Sequence, residues 1–265
     1  MRIVIRYFLF AISLSLTGCT HLFFQPSKHI FADPAAIGIK YEVIKFKSGD
    51  GTDLTGMFFP PAGAPLGTII HFHGNAENMT SHALGSLFLL EMGLKLVTFD
   101  YMGYGRSPGV PSLAGIQEDA LKVFGHIFSY PQIFGKDVFG FGQSMGRFTL
   151  GRILQEIPML KGAIFDCALF SFRELFIKGY PMHECTVPDV SALETLPLSN
   201  VPKLFIHGAA DEVVPFAHSE KMFAIAAPPK ELLLIEGVSH IGSITSEHAS
   251  EYKEKIRDFI ASYRA

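Results

Sequence analysis

The chain reads as an α/β protein: a mostly parallel, eight-stranded sheet covered by helices on both faces, with a small lid inserted. Three observations predict this. Near-continuous apolar runs recur along the 265 residues, helical patterns alternate with them, and 48% hydrophobic against 18% charged residues supplies enough apolar surface for a large core. The same balance excludes a disordered chain. With Lys+Arg 22 against Asp+Glu 25, there is no basic surplus of the kind a nucleic-acid binder carries.

The first 18 residues read as a targeting segment. Arg2 and Arg6 give a positive start, and the apolar run from Tyr7 to Leu16 is well below the roughly 18 to 20 residues that span a bilayer. The run ends in Leu16-Thr17-Gly18-Cys19, which resembles the lipobox of bacterial lipoproteins. That resemblance implies removal of residues 1–18, a lipid on Cys19 and attachment to a cell-envelope membrane. Thr20 in place of an aspartate then favours the outer membrane. An ordinary signal peptide followed by a chance cysteine is the alternative. Residues 19–39, broken by Pro26 and Pro34, read as a spacer, and residues 40–265 as the folded domain.

Within that domain, Tyr41–Phe46 and Leu54–Phe59 flank Ser48-Gly49-Asp50-Gly51, the pattern of a hairpin. Six apolar runs follow: Thr68–Phe72, Leu94–Phe99, Val138–Phe141, Gly162–Phe165, Lys203–Ile206 and Leu232–Ile235. Between them, Ile116, Ala120, Val123, Phe124 and Ile127 recur at helical spacing, as do Tyr252, Ile256, Phe259, Ile260 and Tyr263. Residues 168–200, with Pro181, Pro188 and Pro197, interrupt the alternation and read as the lid; its apolar residues serve either lid packing or the wall of an acyl pocket. In such sheets ligands bind beyond the carboxyl ends of the strands, so chemistry is expected in the loops there.

Three of those loops carry a nucleophile, an acid and a base, in that order. Gly142-Gln143-Ser144-Met145-Gly146 lies between a strand and a helical pattern, the setting of a serine on a strained turn. Small residues two positions either side of Ser144 let the backbone fold back, and the helix starting at Met145 aims its N-terminus at developing negative charge. A serine hydroxyl is a poor nucleophile without a base, and the base needs an orienting carboxylate. Asp211 follows the strand Lys203–Ile206, and His240 follows Leu232–Ile235. Asp166, at another strand end, is the rival acid; His218 and His248 compete with His240 but fall in predicted helices.

These residues, with His73-Gly74-Asn75-Ala76-Glu77-Asn78 and the run Asp100 to Ser107, resemble the α/β-hydrolase superfamily. The likeness is to its small-lidded branch of esterases, monoacylglycerol-lipase-like enzymes and depalmitoylases, from about residue 40 to the end. The resemblance implies Ser144 as nucleophile, His240 as base and then acid, and Asp211 as its orienting carboxylate. It implies an oxyanion hole from the backbone N–H groups of Asn75 and Met145. The expected activity is cleavage of a carboxylic ester or thioester, on a small-molecule or lipid acyl substrate, without metal or organic cofactor. A peptidase or amidase of the same fold, and a non-catalytic binding module, are the competing readings. Two departures stand out: Arg147, where the branch has a small residue, and Gly237-Val238-Ser239 before His240. His71 and His73 alternate by two, but no further ligand completes a metal set around them. Cys167 and Cys185 bracket the first half of the lid; they read either as a disulfide or as two free thiols.

Overall fold

A computed structural model describes residues 24–61, 63–167, 170–171 and 194–264. The expected signal segment, Cys19, Cys185 and most of the expected lid therefore lie outside the described residues. The main sheet has eight strands: β2 (Glu42–Lys47), β3 (Asp53–Phe59), β4 (Gly67–Phe72), β6 (Leu94–Phe99), β7 (Val138–Gln143), β8 (Gly162–Asp166), β9 (Lys203–Gly208) and β10 (Lys230–Ile235). Their order across the sheet is β10-β9-β8-β7-β4-β6-β3-β2. Only β2 with β3 and β3 with β6 pair antiparallel; from β6 to β10 every pair is parallel.

The expected strands are all present, each within a few residues of its sequence-read bounds. The central ones were legible because helices cover both faces, so every side chain of β7, β8 and β9 is buried and each run is apolar apart from Gln143, Asp166, Lys203 and His207 near the strand ends. One face packs against α3 (Leu113–Ser129) and α5 (Met145–Ile153), through Ile116, Val123, Phe124, Phe148 and Leu150. The other packs against α1 (Met79–Ser86), α2 (Phe88–Glu91) and α7 (Ala249–Tyr263), through Met79, Phe88, Tyr252, Ile256 and Phe259. Two shorter helices, α4 (Pro131–Phe134) and α6 (Ala217–Ile225), complete the described set. Helix starts follow local chemistry: Ser112 caps α3 through its side chain to the Gly115 N–H, and Asn78 caps α1 to the Thr80 N–H. Among the described residues no helix is long and apolar enough to cross a membrane.

The described part of the expected spacer is packed on the domain. Phe24 is buried in the core, β1 (Gln25–Pro26) pairs in parallel with β5 (Ala76–Glu77), and Asp33 caps a short 3-10 helix at Pro34–Ile37.

Candidate active site

Ser144 sits between the last residue of β7 and the first of α5, with φ 51° and ψ −116°. Glycine is a steric requirement around it. A Cβ on Gly146 would lie 1.9 Å from the Phe72 carbonyl oxygen, and one on Gly142 would lie 2.4 Å from the Arg147 Cα. The chain turns within van der Waals reach of β4, and only hydrogen fits at those positions. A Cβ on Gly74 would stand 3.7 Å from that of Ser144, which places the loop after β4 directly beside the serine. The Met145 N–H opens α5 immediately after Ser144, and Asn75 lies in the loop after β4.

Asp211 and His240 meet across the loops after β9 and β10. His240 Nδ1 is 2.7 Å from Asp211 Oδ2. Asp211 Oδ1 accepts the backbone N–H groups of Val213 (2.9 Å) and Val214 (2.8 Å), which fixes the carboxylate plane. His207 completes the cradle: its Nε2 lies 2.8 Å from the Val214 carbonyl oxygen and 3.4 Å from Asp211 Oδ2, and its Nδ1 lies 2.6 Å from Ser219 Oγ. Burial works to raise the Asp211 carboxyl, but bonds from His207, His240 and Val214 outweigh it and hold the group well below the ordinary carboxylate range. An ionised carboxylate on Nδ1 leaves Nε2 as the nitrogen able to take a proton.

Asp166 ends β8 and faces elsewhere. Its Oδ2 accepts Gln143 Nε2 and Tyr252 Oη, each at 2.9 Å. Burial, opposed by those two bonds, raises its carboxyl. Its backbone carbonyl accepts the Ser144 N–H (3.2 Å) and Arg147 Nη1 (3.0 Å). Arg147 is fully buried behind the elbow; its Nε and Nη2 have no partner among the described residues. Burial brings the guanidinium down to about 9, against the opposing pull of Cys167, Asp166 and Asp211.

Cys167 is a free, buried thiol, and Cys185, its candidate disulfide partner, lies outside the described residues. The Cys167 Sγ accepts the Ile241 N–H at 3.2 Å and lies 3.7 Å from Asp166 Oδ1, a position that braces the histidine loop. Desolvation, reinforced by the Asp166 charge, pushes this thiol well above its ordinary range, so it is a poor nucleophile.

Backbone strain gathers at the same place. Among the described residues the non-glycine positions with positive φ are Glu77 (65°), Ser144 (51°), Cys167 (60°) and Ile241 (55°). Each borders the loops that carry Asn75, Ser144 or His240. Such conformations cost on the order of 1–3 kcal/mol each and persist only where the surroundings over-determine them. Sequence patterns carried no signal for Cys167 or Ile241, because their contact joins two loops 74 residues apart. His207 sits within a legible stretch, yet its role as a brace for Asp211 depends on the turn at Val214. His71 and His73 are buried, as core or bracing groups: His71 Nε2 lies 3.0 Å from Gln143 Oε1, and His73 Nδ1 lies 2.8 Å from the Gly74 carbonyl.

Known proteins share the fold and parts of the sequence. The profile of the family described as serine aminopeptidase, S33, matches residues 63–192. Protein YfhR of Escherichia coli K12 is 32% identical over 251 residues, covering 91% of this chain and 87% of its own. The α/β hydrolase domain-containing protein WAV2 of Arabidopsis thaliana is 30% identical over 223 residues, covering 76% of this chain and 71% of its own. Among solved structures, the Pyrococcus furiosus esterase Pf2001 superposes with a TM-score of 0.79 at 17% identity, over 92% of this chain and 99% of the esterase.

Proposed function

Because the chain belongs to the α/β-hydrolase family, we propose that it is a serine hydrolase cleaving a carboxylic ester or thioester through an acyl-enzyme. The observation that carries this reading is the 2.7 Å contact of His240 with an ionised, doubly braced Asp211, on the same sheet edge as a strained Ser144. In the first step Ser144 Oγ attacks the carbonyl carbon as His240 Nε2 takes its proton. The carbonyl oxygen becomes an anion held by the backbone N–H groups of Asn75 and Met145. Such donors act in a water-poor site on charge that exists only in the transition state, and the loss of one costs about 2.7–4 kcal/mol in a protease studied this way. His240 then protonates the leaving alcohol or thiol as the C–O or C–S bond breaks. Water, deprotonated by His240, attacks the acyl ester, and the acid leaves as the serine recovers its proton.

Asp211 keeps the imidazole in the Nδ1–H tautomer and opposes the charge formed on it. The reading also takes Cys19 as the lipid attachment site. Phe24, the first described residue, follows five residues later, so an extended chain holds the domain within about 17 Å of the lipidated cysteine.

The test is labelling by a fluorophosphonate. Wild type should be labelled, and Ser144→Ala should not. Absence of labelling of folded wild type would sink the reading, and equal labelling of the variant would sink the assignment of Ser144. The matching family's description makes amides the competing substrate class. Matched p-nitrophenyl esters and p-nitroanilides decide between them, with esters expected to turn over at least a hundredfold faster. For the anchor, Cys19→Ser should move the protein out of the membrane fraction, and globomycin should block processing of the wild type only.

A further inference from the structure

The segment 24–31, ahead of the main sheet, is fastened to the loops around Asn75. The Gln25 N–H donates to Asn75 Oδ1 at 3.2 Å, and β1 pairs with β5, the two residues after Asn75. The Ser27 N–H donates to the Glu77 carbonyl at 2.9 Å, which holds Glu77 at its strained φ of 65°. Asn78 Nδ2 reaches back to the carbonyls of Ser27 (2.9 Å) and His29 (2.7 Å), and the Phe31 N–H donates to Thr80 Oγ1 at 3.0 Å. On the other side, the Gly105 N–H donates to the Ser27 carbonyl (3.0 Å) and Lys28 Nζ to that of Ser107 (2.7 Å). Phe24 is buried in the core at the start of the segment.

Tyr104 joins this strap to the site. Its hydroxyl donates to Asn75 Oδ1 at 2.8 Å and lies 3.9 Å from Met145 Sδ, so it touches the side chains of both residues assigned as oxyanion donors. Burial raises the Tyr104 phenol, which keeps it a donor. Asn75 follows Gly74, whose own backbone imposes little restriction, and precedes the two-residue strand β5. A donor on so short a loop needs outside support to stay within a few tenths of an ångström of the position a developing oxyanion will take.

We propose that the strap 24–31, together with Tyr104, is a positioning element of the active site, holding the Asn75 backbone N–H in place for the transition state. The inference rests on the serine-hydrolase reading and on Asn75 as an oxyanion donor.

Two variants in the full-length chain each remove one donor group from this support. Gln25→Pro deletes the N–H that reaches Asn75 Oδ1, and Tyr104→Phe deletes the hydroxyl while keeping the ring. Each should lower kcat on a short p-nitrophenyl ester about tenfold, less than outright loss of a donor, with KM within about twofold of wild type. Affinity for a boronic-acid transition-state analogue should fall by the same factor as kcat/KM, with Tm within a few degrees of wild type. If either variant folds less well, active sites counted by fluorophosphonate put kcat on a per-site basis. Unchanged per-site kcat in both variants, or a change in KM alone, overturns the proposal. Failure of wild type to label or to hydrolyse overturns the serine-hydrolase reading itself, and the inference with it.

Discussion

Asp166 ends β8 and Asp211 follows the neighbouring β9, and their partners tell the two carboxylates apart. Asp166 Oδ2 is taken by Gln143 and Tyr252, whereas Asp211 Oδ2 meets His240 and its Oδ1 is filled by two backbone donors. Asp211→Asn keeps the size of the group but replaces an ionised acceptor with a neutral amide, so the imidazole loses its preferred tautomer. The comparable change in trypsin-like proteases lowers kcat roughly 10⁴-fold. A loss of at least 10³-fold in kcat is expected here, measured per folded molecule. Asp166→Asn should instead lower stability by about 1–3 kcal/mol, because it disturbs a buried hydrogen-bonded cluster. Its kcat should stay within about tenfold of wild type. Reversed kinetics for the two variants would make Asp166 the acid.

At the scale of elements, function depends on how closely loops and strands approach. Gly146→Ala would drive a methyl group into the Phe72 carbonyl at 1.9 Å, and the obstacle is backbone of a central strand that has no room to retreat. We expect loss of soluble folded protein or a fall in Tm of more than about 4 °C, judged from two or more kcal/mol of strain in a domain of this size. Gly85→Ala, on α1 with open space around it, is the matched control and should raise stability slightly. The elements most readable from sequence were those with a strong period. β7, β8 and β9 are buried on both faces and mostly apolar, and α3 buries Ile116, Ala120, Val123, Phe124 and Ile127 along one stripe. β1 and β5 have two residues each, too few to show a period, and Pro26 breaks the run that contains it; the strap therefore read as spacer. The order of Ser144, Asp211 and His240 was legible because each follows an apolar run. The Cys167–Ile241 contact and the His207 brace were not, since they arise from turns whose geometry no local pattern encodes.

Across the whole molecule, one polar chain threads the sheet from β4 to α7. His71 Nε2 donates to Gln143 Oε1, Gln143 Nε2 donates to Asp166 Oδ2, and Tyr252 Oη donates to the same oxygen. The Nδ1 side of His71 faces the hydroxyls of Ser86 (3.3 Å) and Thr98 (3.4 Å). A neutral imidazole satisfies this arrangement as donor at Nε2 and acceptor at Nδ1, and protonation would remove the acceptor. Burial is the main reason that the His71 imidazole is brought down from 6.5 to about 3, with His82 adding to it and the Gln143 bond opposing it. His73 and His82 shift in the same direction, also through desolvation. Between pH 6.5 and 3 the unfolded chain therefore binds the His71 proton and the folded chain does not. Stability falls as the pH falls through that window, with His71 contributing up to about 1.4 kcal/mol per pH unit. Buried Asp100, Asp119 and Asp166 have raised carboxyls, which act in the opposite sense but only as the pH approaches the carboxylate range. Urea unfolding should thus show stability declining from pH 6.5 to pH 5. In His71→Gln, whose amide nitrogen substitutes for the Nε2 donor, the slope over that interval should be shallower by about one proton, whatever the variant's absolute stability. An unchanged slope would mean that His71 is not held neutral in the folded core.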